Sequence, residues 1–190
     1  MNWDQFAAEH LTVLDQVINE LRPRVEETAE ILAQCVKQGG KVLFCGNGGS
    51  AADAQHIAAE LVNRFLINRK PYAGLALTTD TSILTAVGND FSFEQVFEKQ
   101  VQAYGRGGDV LVAISTSGKA RNVLRAVQAA RELGMQTIGL TGGTGGELLP
   151  LVDLCLCVSC TRHTPRIQEG HMMIFHAFCE LLEEKLESVE

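Results

Sequence analysis

Residues 41–60 read KVLFCGNGGSAADAQHIAAE. Lys41 to Cys45 is a short apolar run, the pattern of a buried strand. It stops at Gly46-Asn47-Gly48-Gly49-Ser50, and a helical pattern follows from Ala51 through Arg64. A strand that ends in a glycine-rich turn and opens a helix is a phosphate cradle. Its backbone N–H groups point outward, and the helix dipole favours an anion. The same helix carries His56 and Glu60, four residues apart and therefore on one face. An anion site beside a His/Glu pair points to a phosphorylated substrate with acid–base or metal chemistry next to it.

The rest of the chain repeats the alternation. Gly74–Leu77, Asp109–Ile114, Gln136–Leu140 and Leu154–Val158 are further short apolar strands. Helical patterns lie between them: one turn over 82–87, then 93–104 and 120–133, and a long closing helix over 167–186. Gly88-Asn89-Asp90 breaks the pattern between the first two of these. Five short strands alternating with helices predict an α/β fold with a parallel sheet covered on both faces. No linker or low-complexity stretch divides it, and 190 residues suit one domain. Ahead of the first strand, residues 1–38 are amphipathic and helical, split at Pro23, with no strand of their own to cover. They pack either on this sheet or against another subunit.

Composition narrows the function. A net charge of −7 argues against non-specific nucleic-acid or anionic-membrane binding. No apolar run approaches a membrane span, and the start MNWDQ is unlike a signal peptide. Six cysteines in this setting suggest reduced thiols and a cytoplasmic protein. Cys155 and Cys157 share one face of the fifth strand, and with Cys160 and His163 they fit no zinc-knuckle spacing. Gly46-x-Gly48-x-x-Ala51 matches a dinucleotide fingerprint in form. The position about 20 residues on is Asn68-Arg69-Lys70, not the acid a ribose needs. The loop Ser115-Thr116-Ser117-Gly118 after the third strand echoes the first and offers three hydroxyls to phosphate oxygens. The turn Gly142–Gly146 is expected to be a flexible connection. On the closing helix, Gln168, Glu169, His171 and His176 form a second set of polar candidates.

GNGGSAADAQHIAAE, GND at 88–90, STSG at 115–118 and RIQEGH at 166–171 followed by His176 together resemble the phosphoheptose isomerase family, of the sugar isomerase (SIS) fold. The resemblance runs over essentially the whole chain. It implies a five-stranded parallel sheet in flavodoxin-like order over 41–190, with the 1–38 helical extension. It implies an aldose–ketose isomerase that converts sedoheptulose 7-phosphate to D-glycero-D-manno-heptose 7-phosphate, the first step toward the heptose of lipopolysaccharide and related glycans. It also implies zinc and a homotetramer with sites near subunit contacts.

By motif match, Asn47, Gly48, Gly49, Asn89 and Asp90 would line the substrate, with Glu60 and Gln168 also touching it. Ser115, Thr116 and Ser117 would hold the phosphate. His56, Glu60, Gln168 and His176 would be metal ligands, with Glu60 and His176 as the acid–base pair. The family often has Asn-Ser where this chain has Lys119-Ala120, and Ala or Asp where it has Pro165. The other class consistent with the fold is a non-catalytic SIS protein that binds partners, such as a replication-initiation regulator; the presence of His176 favours an enzyme.

Gln168 and His176 are eight residues apart on one predicted helix. That is ~12 Å of rise and roughly 80° of azimuth, too far for one ion with bonds of ~2 Å. A break near Gly170, inward-reaching side chains or a second subunit would each resolve this.

Overall fold

A computed structural model of the chain describes residues 1–187. Five parallel strands form one sheet in the order β2-β1-β3-β4-β5. They are β1 (Val42–Cys45), β2 (Gly74–Ala76), β3 (Val110–Ile114), β4 (Gln136–Gly142) and β5 (Leu154–Val158). This is the flavodoxin-like order, which places ligands beyond the carboxyl ends of the strands near the β1/β3 switch point. Alternate strand residues feed opposite faces. Val42, Phe44, Val112 and Leu140 join one core; Leu43, Cys45, Leu111 and Ala113 join the other.

The first face is covered by α2 (Arg22–Lys37), α3 (Gly49–Val62) and α7 (Thr164–Glu187), which pack side by side. The opposite face carries α5 (Glu98–Tyr104) and α6 (Arg121–Glu132). Because α3 and α7 share a face, side chains along their seam can meet.

The N-terminal segment is one helical run from residue 3 to 37. Between α1 (Trp3–Gln16) and α2 lies a π-helical turn, Val17–Leu21. Pro23, in the first turn of α2, cannot donate to an i−4 carbonyl, and the wider turn absorbs the mismatch. The two helices have different fates. Val25, Ala29, Leu32 and Ala33 of α2 are buried in the sheet core. In α1 only Val13 and Gln16 are buried, while Leu11 and Leu14, with Ile18 of the π-helical turn, face outward. So α2 covers the sheet, and α1 keeps an exposed apolar face.

Two local expectations change. The helix α4 runs through the GND stretch, from Thr81 to Asp90. Gly88 meets nothing where a Cβ would stand and is tolerated as an ordinary helical residue. The helix expected over 93–104 is interrupted instead: a 3₁₀ turn at Phe93–Gln95 precedes α5.

Candidate active site

The first loop is shaped by Gly48, whose φ of +57° suits a residue without a Cβ. It leaves the first turn of α3 with no side-chain cap. Asn47 is fixed by a reciprocal amide pair. Its Nδ2 donates to Asn122 Oδ1 at 2.9 Å, and Asn122 Nδ2 donates back to Asn47 Oδ1 at 2.8 Å. Asn122 is buried in the first turn of α6, so the glycine loop is tied to the helix that follows β3. The sequence signal for Asn122 is a polar residue on the otherwise apolar face of Val123, Leu124, Ala126 and Val127. Asn89 and Asp90, at the end of α4, are exposed and hydrogen-bonded to each other.

Further along α3, His56 Nε2 lies 3.1 Å from Glu60 Oε1. The His176 ring of α7 packs edge-on against the His56 ring, with centroids 5.3 Å apart, and against Phe65 at 5.5 Å. Thus His56, Glu60 and His176 are gathered within a single chain. Asp53 stands one turn before His56, its Oδ2 buried without a hydrogen-bond partner. Burial pushes its carboxyl up, partly opposed by His56.

The far end of α3 is locked. Arg69 donates from Nη2 to Glu60 O at 2.8 Å and from Nη1 to Leu61 O at 2.9 Å. Its Nε donates to Glu183 Oε1 of α7 at 2.8 Å. Burial alone would raise the Glu183 carboxyl, but the N–H groups of Phe65, Leu66 and Ile67 and the Arg69 side chain outweigh it and hold it below its ordinary value. This cluster clamps the Glu60 turn of α3 against α7.

Gln168 lies elsewhere. A Cβ added at Gly49 would collide with the Gln168 amide, so Gln168 rests on the first turn of α3. The helix α7 is unbroken from Thr164 to Glu187, which removes the break at Gly170 as an option. At Gly170, α1 and β5 press on α7; an added Cβ would stand 2.9 Å from Val13 and from Val158. Among the described residues, no three His, Cys, Asp or Glu side chains stand close enough, as placed, to hold a metal ion. The donors at His56, Glu60 and His176 are nonetheless two imidazoles and a carboxylate, the ligand types of a catalytic zinc.

The third part is a cavity of about 370 Å³ at the carboxyl ends of β3 and β4. Thr116 and Ser117 line it, opposite Gly143, Thr144 and Thr164. Ser115 is buried behind them, and its N–H donates to Leu140 O. The glycine turn after β4 is no loose connection. Gly118, at φ +65°, lies against the Gly145 carbonyl so closely that a Cβ would collide with it. Thr144, Arg162 and Thr164 line the cavity and were not singled out in the sequence. His171 is buried, and its Nε2 lies 2.9 Å from Thr141 O, pinning α7 to the end of β4. Burial lowers its pKa to about 4, so it is neutral near pH 7.

A glycine loop, a His/Glu/His cluster and a hydroxyl-lined cavity thus lie along the α3–α7 seam and the adjoining strand ends. Comparison with known proteins places this arrangement. A family model described as the SIS domain matches residues 5–142. The phosphoheptose isomerase of Rhodospirillum rubrum is 53% identical over 169 residues, 89% of each chain. That of Geotalea daltonii is 51% identical over 177 residues, 93% of this chain and 92% of the relative. The chain belongs to the phosphoheptose isomerase family. Solved structures agree. Phosphoheptose isomerase GmhA from Neisseria gonorrhoeae superposes with a TM-score of 0.89 at 46% identity, covering 95% of this chain and 96% of that one. The phosphoheptose isomerase from Francisella tularensis gives 0.91 at 38% identity, with the same coverage. The NanR protein of Vibrio vulnificus, at 15% identity and a TM-score of 0.65, shares the fold alone. As a member of this family the chain is an isomerase, and nothing in the comparisons favours a non-catalytic partner-binding protein.

Proposed function

We propose that the chain interconverts sedoheptulose 7-phosphate and D-glycero-D-manno-heptose 7-phosphate through an enediol, in the first step of nucleotide-activated heptose formation. The observation that carries this is the His56–Glu60–His176 cluster beside a glycine loop and a hydroxyl-lined cavity. The reaction removes a proton from C1 of the ketose, shifts the double bond to C1–C2 and returns a proton to C2. Proton transfer between the two oxygens completes it. Glu60 is the base that takes the carbon-bound proton. His176 moves protons at the oxygens, its two ring nitrogens able to donate and accept. Asn47, Gly48 and Gly49 orient the sugar, with Asn89, Asp90 and Gln168 as further contacts. Thr116 and Ser117, with Ser115 behind them, hold the phosphate end.

In this reading His56, Glu60 and His176 would hold Zn2+, one per subunit, and the ion would supply polarisation of the substrate oxygens when bound. Gln168 would be the fourth ligand. Within one chain it is ~12 Å from His176 along an unbroken helix, a separation that supports a neighbouring subunit as its source. The exposed face of Leu11 and Leu14 on α1 and Ile18 in the turn after it supplies a surface for that assembly, a homotetramer. The enzyme works in the cytoplasm, where its six cysteines, all unpaired, stay reduced. No helix among the described residues is long and apolar enough to cross a membrane. Incubation with sedoheptulose 7-phosphate, followed by NMR, should show aldose signals growing to an equilibrium mixture. An unchanged ketose spectrum would rule the function out.

A further inference from the structure

Two cations stand at the hydroxyl-lined cavity, Lys119 beside Ser117 and Arg162 on the segment entering α7. Both are exposed, and neither has an ion-pair partner among the described residues. Neighbouring arginines are engaged: Arg121 with Glu147, and Arg166 with Glu9 and Glu169. The Arg162 stem runs past Gly143, where an added Cβ would stand 3.8 Å from its Cγ. No acidic residue lines the cavity. In a chain of net charge −7, two unpaired cations over one acid-free cavity make a local positive site.

We propose that Lys119 and Arg162 are specificity-determining residues that clamp a terminal dianionic phosphate from two sides of this cavity. The inference rests on the reading of the Ser115–Ser117 loop as the phosphate end of the substrate site. The hydroxyls of Thr116 and Ser117 fix the position of the phosphate, and the two cations supply charge. Arg162 brings a planar fork for paired oxygens, and Lys119 a compact point charge. Because both side chains are exposed and without an ion-pair partner among the described residues, a bound anion supplies their counter-charge. They therefore select phosphorylated from unphosphorylated sugars and draw the anion in against the repulsion of an acidic protein.

The test uses Lys119→Met, Arg162→Met and the double variant of the full chain, with melting curves to verify folding. Inorganic phosphate is titrated by calorimetry, and KM for sedoheptulose 7-phosphate is measured at low and high salt. Each single change should weaken phosphate binding and raise KM by about tenfold, the worth of one charge-assisted contact, with a smaller fall in kcat. The double variant should lose most of the salt dependence of kcat/KM. Lys119→Glu should raise KM further than Lys119→Met. Phosphate affinity unchanged in the double variant would overturn the clamp. If the unaltered protein fails to convert sedoheptulose 7-phosphate, the functional reading falls, and the phosphate titration alone decides the clamp.

Discussion

Glu60 and His176 are far apart in sequence, yet both stand against His56: Glu60 by a 3.1 Å contact and His176 by ring packing. His56 and Glu60 were legible from their four-residue spacing on a helix that follows a glycine turn. His176 was legible only through the family resemblance, because a lone histidine on a helix has no spacing signal that separates a packed residue from a working one. Asn122, Thr144 and Arg162 were not legible, since their roles arise where three loops converge. His176→Gln keeps a polar group of similar reach and removes the proposed proton shuttle; kcat should fall by at least ~10²-fold with the melting temperature unchanged. Near-normal turnover would reject the role. Replacing Thr116 and Ser117 together by alanine should raise KM for the phosphosugar far more than it lowers kcat, because in the proposed function these hydroxyls hold the non-reacting end. A large loss of kcat at unchanged KM, measured by steady-state kinetics, would contradict that assignment.

The elements position these residues through a few fixed contacts. All five strands were legible to within two residues, because short apolar runs bounded by glycine and serine carry a strong signal. The interruption at 93–98 was not, since no proline or glycine marks it. The packed state of the 142–146 turn was hidden too: glycine runs look alike in sequence whether they are loose or press against another backbone. Gly118→Ala should therefore destabilise the fold, by both its positive φ and the collision with Gly145. A melting temperature equal to that of the unaltered protein would refute this. The clamp between α3 and α7 predicts a pH dependence. Glu183 is held below its ordinary value of 4.5, so its stabilisation is present above that pH and fades as pH falls through the lowered value. Glu183→Gln leaves Arg69 buried without its counter-charge, a cost of about 3–5 kcal/mol at pH 7. The gap in melting temperature between the two proteins should shrink below pH 4.5. A gap constant from pH 7 down to pH 3 would contradict the clamp.

At the scale of the whole molecule, the unbroken α7 separates Gln168 from the histidine cluster, and the proposed function therefore makes assembly part of the site. Mixed oligomers test this. Chains carrying Glu60→Gln and chains carrying Gln168→Ala, each with impaired activity, should regain part of it when dissociated and reassembled together. Glu60→Gln mixed with His176→Gln should regain none, because those two residues belong to one chain. The opposite pattern would place the subunit boundary elsewhere. Light scattering that shows an active monomer at assay concentration would remove the shared site altogether. Beneath all of this lies the claim that one carboxylate moves the substrate proton. Sedoheptulose 7-phosphate followed by NMR with the unaltered protein and with Glu60→Gln side by side tests that most directly. Aldose signals should appear with the unaltered protein and grow at least ~10²-fold more slowly with the variant; equal rates in the two samples, or no aldose in either, would contradict the account.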